Sequence, residues 1–435
     1  MGVISAVSLR DFKSFRRARL EIRPLTVLVG PNASGKSNLR DALRLLHGIG
    51  RGYSLADTIG EKWGQAGQRE WSGIRGGVRD LIYRGTPGGN GSSASCELRA
   101  EVAFPERAAA ESDLQYTLSV SVSNDVPTIS HERLDRVLEQ DGTWARLDPV
   151  FRDERGERTV SGAGRIPGAY PGQGYYWKHA SFDEGTPLLI QIPKEDRIRA
   201  RVRDAALAVQ RQFAAMRFLD VAPDAARRPS VPGQTVLGDR GENLASVLQK
   251  IMEDDQSRIA VLDWLREFTP AEFQDLDFEK DATGRLTLLL VDQRGRKFLA
   301  DSASDGTLRF LAILAAVFGP SPADLYFFEE IENGVHPSRA HLLVDLIGQQ
   351  ARARGIKVIV STHAPALLSA MPPADLAQAV YCYLDLGEGG QETKLITFHE
   401  IPHLEDRLAE VRVDALFADG WIETALSLAT DPTHP

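Results

Sequence analysis

Cysteine is nearly absent from this 435-residue chain: Cys96 and Cys382 are the only two, far apart and outside any C-x-x-C or Cys/His pattern. That scarcity excludes a disulfide-stapled scaffold and a cysteine-built zinc or redox centre, and it reads as two buried thiols in a reducing cytosol. Long apolar runs are lacking too. The best, Phe310 to Phe318, is about half of what spans a bilayer. The N-terminus carries no basic-then-apolar leader. Met1-Gly2 opens like an acylation site, but Ala6 stands where Ser or Thr is required. The expectation is a cytoplasmic protein with no membrane contact. Internal repeats and sustained heptads are missing, which excludes a solenoid and a coiled-coil arm.

Positive charge is in deficit, with a formal net charge of −9, so the chain is no basic nucleic-acid coat protein. Basic residues nevertheless cluster locally, at Arg16, Arg17, Arg19 and Arg23 and again at Arg197, Arg199, Arg201 and Arg203. The second set alternates, which on a strand would put all four on one face, while on a helix they would spread around the cylinder. Each cluster is either a nucleic-acid contact or a solvated surface. A hydrophobic fraction of 43% and a charged fraction of 26% are those of an ordinary globular protein, long enough for one large domain with an insertion or for two.

What the sequence does contain is a complete G-x-x-x-x-G-K-[ST] pattern, Gly30-Pro31-Asn32-Ala33-Ser34-Gly35-Lys36-Ser37. The apolar run Leu25 to Val29 reads as a buried strand feeding the loop, and Asn38 to Leu46 as the helix leaving it. Glycine lets the backbone curl so that N–H groups converge on phosphate oxygens, and the helix N-terminus adds positive potential. Lys36 then reaches the β- and γ-phosphates and the Ser37 hydroxyl binds Mg²⁺. The plainer alternative, an accidental glycine turn, does not explain the flanking strand and helix.

Three further stretches follow in order. Ser302 to Thr307 opens the apolar helix Leu308 to Phe318; Ser304, Gly306 and Thr307 make either a second anion cradle or a simple helix cap. Leu325 to Glu330 is a hydrophobic strand ending in two acids. Beside a phosphate loop, Glu329 would be the metal-side acid and Glu330 the base that deprotonates water; elsewhere they would be solvated strand-end acids. Lys357 to His363 is a buried strand ending in a histidine, either a γ-phosphate sensor or a hydrogen-bonded loop residue. Other segments read as strands at Val3 to Leu9, Ala18 to Ile22, Cys96 to Phe104, Leu114 to Val122 and Leu286 to Val291. Helices are expected over Glu195 to Phe213, within Leu244 to Phe268, and as one amphipathic helix over His403 to Phe417. Gly85 to Ser93 is a loop by composition, and Thr128 to Gly174 a turn-rich insertion with hairpins.

Taken together, these residues resemble the ABC-type ATPase heads of the SMC, RecF and OLD (overcoming-lysogenization-defect) group, and the stand-alone OLD-like bacterial AAA-family ATPases in particular. Leu9 to Phe15 resembles their L-x-N-F-K-S-F opening, Gly30 to Ser37 their G-x-N-x-x-G-K-S loop, and Ser304 to Thr307 their S-D-G-T signature. Glu329 to Pro337 matches E-E-P-E-N-x-x-H-P, and Ser361-Thr362-His363 the S-T-H switch. The chain departs from the pattern at Glu329, where Asp is commoner, and at Ala303, which replaces a leucine. The Q-loop glutamine is Gln65, Gln68 or Gln115.

The resemblance implies an α/β P-loop NTPase fold, with a mixed central sheet flanked by helices and an inserted β-rich and helical region. The head would comprise 1–90 and 215–400, the insertion 90–215 and a helical tail 400–435. It implies ATP and Mg²⁺ as ligands, with Gly30, Asn32, Ala33, Ser34, Gly35, Lys36, Ser37 and Asn38 around the phosphates. In a head-to-tail homodimer each site takes Lys36, Ser37, Glu329, Glu330 and His363 from one copy and Ser304, Gly306 and Thr307 from the other. Hydrolysis would then serve DNA maintenance or anti-phage defence, or it would gate a separately encoded nuclease or toxin without DNA contact. A transporter subunit fits less well, because the signature is not L-S-G-G-Q and the acids are not D-E. The stretch after His363 has no D-x-D pair for a nuclease; Tyr383 to Gly387 offers a single acid, Asp385.

Overall fold

The computed structural model describes residues 2–65, 67–83, 85, 95–104, 113–138, 146–154, 157–161, 182–196, 198–270, 272–386 and 390–430. In chain order β1 (Val3–Phe12) and β2 (Phe15–Glu21) precede β3 (Leu25–Val29). A short hairpin, β4 (Lys62–Trp63) and β5 (Arg69–Trp71), is followed by β6 (Ser95–Ala103), β7 (Leu114–Ser123), β8 (Val126–Leu138), β9 (Arg146–Glu154) and β10 (Glu157–Ser161). Then come β11 (Met216–Leu219), β12 (Asp275–Lys280), β13 (Leu286–Val291) and β14 (Lys297–Leu299). The last four are β15 (Leu325–Glu329), β16 (Lys357–Thr362), β17 (Val380–Asp385) and β18 (Glu392–Thr397). These elements fall into two compact units: Met1–Ile22, Pro31–Met216 and Cys382–Leu395 form the first, and Arg23–Gly30, Arg217–Tyr381 and Ile396–Pro435 the second.

The first unit is built on an antiparallel sheet of order β10-β9-β8-β7-β6-β1-β2. Side chains alternate across a strand, so register decides which residues share a face. Leu9 lies opposite both Ala18 and Leu98, and Leu98 opposite Leu118; Leu9, Leu98 and Leu118 are all buried. Helix Ala200–Ala214 covers this face, with Phe213 edge-on to Tyr116 at 5.5 Å. Glu132 is buried on the same face and accepts from Leu188 N, Leu189 N and Tyr116 Oη at 2.6, 2.8 and 3.0 Å. Three donors satisfy that carboxylate and tie β8 to the start of helix Leu188–Gln191. The other face is polar: Arg10 lies opposite Arg17, and Ser8 opposite Arg19 and Arg99.

The second unit centres on a sheet in which β11, β15, β16, β3 and β17 follow one another, with β15, β16, β3 and β17 parallel. Its strands are continuous apolar runs because both faces are covered. Phe327 stacks on Phe218 at 6.2 Å, and helix Asp305–Phe318, apolar nearly all round, lays Phe310 on Phe268 at 3.9 Å. A small antiparallel sheet, β12-β13-β14, completes the unit. Among the described residues no helix is long and apolar enough to cross a membrane.

Several expectations need correction. The helix expected over Glu195 to Phe213 is Ala200–Ala214, which settles the arginine alternation for a helix: Arg199 is its N-cap and Arg201 and Arg203 lie in its first turn, while Val202, Ala206, Val209 and Phe213 are buried; Arg197 lies outside the described residues. The single tail helix over His403 to Phe417 is two, Leu404–Leu408 and Val413–Ala418, followed by Trp421–Thr430. Extended backbone at Arg412 (φ −68°, ψ 148°) breaks it, and the break lets Leu404, Val413 and Leu416 all reach buried positions. The insertion contains β8, β9 and β10, while 162–174 and most of the Gly85 to Ser93 loop lie outside the described residues.

Candidate functional site

Within the first unit the phosphate loop runs into helix Lys36–Gly50 through Gly35, at φ +109°. This left-handed conformation favours glycine. Space requires it as well: a Cβ there would sit 2.5 Å from Thr393 Oγ1 and 2.6 Å from its Cγ2. Ala33 is also left-handed, at φ +64°. Ser34 N donates to Pro31 O at 3.3 Å and Asn38 N to Gly35 O at 2.9 Å, which closes the turn. Lys36 is nearly buried and its ammonium donates to Pro31 O at 2.8 Å. The Ser34 hydroxyl is buried without a hydrogen-bond partner among the described residues. The Cys382 thiol donates to Ser34 O at 3.3 Å, and burial pushes that thiol up to about 11. A buried lysine, an unsatisfied hydroxyl and a helix N-terminus fit a phosphate ligand.

The opening motif supports this loop from behind. Phe12 and Phe15 pair across the first turn and are fully buried. Lys13, held left-handed at φ +52°, reaches Asp41 on the loop helix at 2.5 Å and Arg75 O at 2.7 Å. Ser14 Oγ receives Asn38 Nδ2 and Thr393 Oγ1, each at 2.7 Å, and Thr393 N donates to Ser14 O at 2.7 Å. The sequence marks Lys13 and Ser14 only as part of a motif; Asp41 and Thr393 carry no signal of their own, because their role comes from packing alone.

Within the second unit the acids and the histidine sit at one sheet edge. Register pairs Glu329 with Ser361, and Thr362 with Val29, the residue before Gly30. The acidic strand is therefore separated from β3 by β16. Glu330 turns out of β15 with φ +48°, an unusual conformation for a residue with a Cβ. Its N donates to Ser361 O at 3.0 Å, and its Oε2 accepts from Asn333 Nδ2 at 2.7 Å. The His363 ring is partly exposed; its Nδ1 lies 3.7 Å from Glu330 Oε1 and 3.4 Å from Glu332 Oε1.

The signature lies in the same unit. Ser304 caps helix Asp305–Phe318, its hydroxyl accepting from Thr307 N at 3.1 Å and bonding Thr307 Oγ1 at 2.8 Å. Gly306 is explained by packing: a Cβ there would meet Gly334 O at 2.1 Å. Arg227 holds the loop from below, donating to Ala303 O at 3.2 Å and pairing with Asp305 at 2.7 Å. Among the described residues no cluster of three or more His, Cys, Asp or Glu could cage a metal. A hydroxyl such as Ser37 and a carboxylate such as Glu329 are hard oxygen donors, which suit Mg²⁺ and its habit of keeping few protein ligands. Ser37 and Glu329 fall in different units. The three glutamines divide between the β4–β5 hairpin (Gln65, Gln68) and β7 (Gln115).

A glycine-gated loop closing into a helix N-terminus, with a nearly buried lysine at its start, is the phosphate-binding element of the P-loop NTPase fold. The chain belongs to the family described as "AAA domain, putative AbiEii toxin, Type IV TA system", whose model matches residues 25–369. It is accordingly an ATP-binding protein of the AAA ATPase class. Similar solved structures include an SMC head bound to the C-terminal winged-helix domain of ScpA, at 14% identity and TM-score 0.49, over 92% of this chain and 99% of that one. The SMC head domain from Thermotoga maritima is 13% identical at TM-score 0.43, over 91% and 98%. An SMC head with an extended coiled coil, bound to the C-terminal domain of ScpA derived from Pyrococcus furiosus, is 12% identical at TM-score 0.45, over 94% and 100%. No curated protein sequence matches the chain.

Proposed function

We propose that the chain hydrolyses ATP with Mg²⁺, dimerises head to tail when ATP is bound, and couples the cycle to DNA maintenance or anti-phage defence. The arrangement of Glu330 carries this reading. It stands at the edge of the parallel sheet, aimed by Asn333 through a 2.7 Å hydrogen bond, with His363 beside it. A carboxylate so held is suited to take the proton of an attacking water, and His363 to hold that water or a phosphoryl oxygen. Lys36 would neutralise the β- and γ-phosphates, and Ser37 with Glu329 would hold the metal. Magnesium, when bound, offsets the negative charge that develops on the phosphoryl oxygens. Ser304, Gly306 and Thr307 would face the nucleotide of the second copy.

Support for a DNA partner comes from β1 and β2. Arg10 lies opposite Arg17 on β2 and opposite Glu97 on β6, so one acid faces two cations at the edge of the polar sheet face and the excess charge there is positive. A polyanion would be attracted to that excess. Asp11 approaches Arg10 only at 3.8 Å, whereas Arg19 is held by Glu101 at 2.6 Å.

The test is ATP hydrolysis by the purified protein with and without double-stranded DNA. Glu330→Gln should retain ATP, accumulate as a dimer and lose turnover by at least about 100-fold. Wild-type turnover in that variant would remove Glu330 from the role of base. Hydrolysis indifferent to DNA would favour an ATP-dependent switch for a separately encoded nuclease or toxin.

A further inference from the structure

Glu332 has no part in the chemistry described so far, yet it is far more buried than Glu330 and holds several groups at once. Its side chain is only 12% exposed, against 39% for Glu330. Oε1 accepts from Thr362 Oγ1 at 2.7 Å and from His363 N at 3.0 Å, and lies 3.4 Å from His363 Nδ1. The Thr362 hydroxyl accepts from Ala364 N at 3.0 Å, so its single hydrogen is available for Glu332. One carboxylate oxygen thus gathers the side chain of Thr362 and both the backbone and the ring of His363. The other oxygen, Oε2, is shut away from solvent with no hydrogen-bond partner among the described residues. Leaving a buried carboxylate oxygen unsatisfied costs stability, and a residue chosen only for folding would avoid it.

We infer that Glu332 is a positioning residue that fixes His363 for hydrolysis. The inference rests on the ATPase reading above. Asn333 and Glu332 are adjacent on one loop, and each orients a different group: Asn333 sets the Glu330 carboxylate, and Glu332 sets the backbone and ring of His363. The loop from Glu330 to Gly334 therefore aims both the base and the histidine. Gln at position 332 can still accept from Thr362 and His363 N through its carbonyl, but it carries no charge to set against the ring. Asp keeps the charge and withdraws it by one methylene. Ala removes every contact.

The experiment is a double-variant cycle on steady-state ATP hydrolysis by the full chain. Glu332→Ala should lower kcat about 10- to 100-fold, the scale of a misplaced catalytic group, with KM for ATP within about twofold. His363→Ala should lower kcat by a similar factor. The double variant should be no slower than His363→Ala alone, because Glu332 acts through that ring. Glu332→Gln should recover part of the loss, as only the charge is missing. If Glu332→Ala does not fold, Glu332→Asp runs the same cycle. Multiplying losses in the double variant, or an unchanged kcat in Glu332→Ala, would overturn the inference while leaving the ATPase reading intact. An unchanged kcat in His363→Ala would overturn the assignment of His363 and this inference with it. Absence of hydrolysis by the wild type would overturn the ATPase reading itself.

Discussion

Lys13 and Asp41 form a buried ion pair at the back of the phosphate loop, and removing the cation tests whether the opening motif serves the nucleotide site. Their side chains are 5% and 1% exposed, and they meet at 2.5 Å. Asp41 Oδ1 has no hydrogen-bond partner among the described residues, so Lys13 supplies the compensation for that charge. Lys13→Met keeps the volume and deletes the charge. Breaking a buried pair from one side costs about 3–5 kcal/mol, because the remaining ion is stranded in a medium that cannot solvate it. Lys13 also donates to Arg75 O, which places the expected loss in the upper half of that range. Against a typical total stability of about 5–15 kcal/mol this is large. Equilibrium urea unfolding should show a clearly lowered midpoint for Lys13→Met. The double variant Lys13→Met, Asp41→Leu should regain more than half of the loss, since an apolar pair fills the same site without a stranded charge. Asp41 lies on the helix that begins at Lys36, so the single variant should also bind ATP more weakly. A midpoint equal to wild type, or a double variant no better than the single one, would refute the argument.

Two further outcomes follow from the same physics. Gly35→Ala should weaken binding of a fluorescent ATP analogue by at least about tenfold, because it combines a strained φ of +109° with a 2.5 Å clash against Thr393; Thr393→Ala should not restore it, as the backbone strain stays. Cys96 and Cys382 should not react with a thiol-disulfide reagent on the folded protein at pH 8 and should both react once it is unfolded, because burial pushes them up to about 12 and about 11. The folded state keeps protons there that the unfolded chain releases. That contribution to stability is intact below the ordinary thiol value of 9.0 and is lost as pH rises towards 11 and 12, which alkaline unfolding curves of Cys96→Ala and Cys382→Ala would register.

How legible the chain was depended on whether a residue's task is local. Leu25 to Val29, the loop and its helix are contiguous, and their pattern of apolar run, glycine and lysine reports a strand–turn–helix directly. The pairing of Cys96 to Phe104 with Leu114 to Val122 was equally plain from alternation. Amphipathic spacing in the tail continues across Arg412 and so spells one helix, whereas the extended backbone there is set by what Val413 and Leu416 bury. The helix over Glu195 to Phe213 was legible from its apolar spacing, whereas the alternation of Arg199, Arg201 and Arg203 within it carries no information once Val202, Ala206 and Val209 have a core to face.

What the sequence by itself determined is a series of contiguous elements in order: a glycine-rich loop and its helix, the helix capped by Ser304, a strand ending in two acids and a strand running to His363. Its few cysteines and short apolar runs were legible there too; both thiols are free, and among the described residues no helix is long and apolar enough to cross a membrane. Only the tertiary structure decided the partners. β16 lies between the acidic strand and β3; Asn333 aims Glu330; Glu332 gathers His363; Gly306 is glycine because Gly334 O lies where a Cβ would go; and Lys13 answers Asp41. The physical reason is that a motif records residues whose neighbours along the chain suffice for their role. A hydrogen bond, a close approach or an ion pair between distant segments depends on register and packing, and these exist only once the chain has folded.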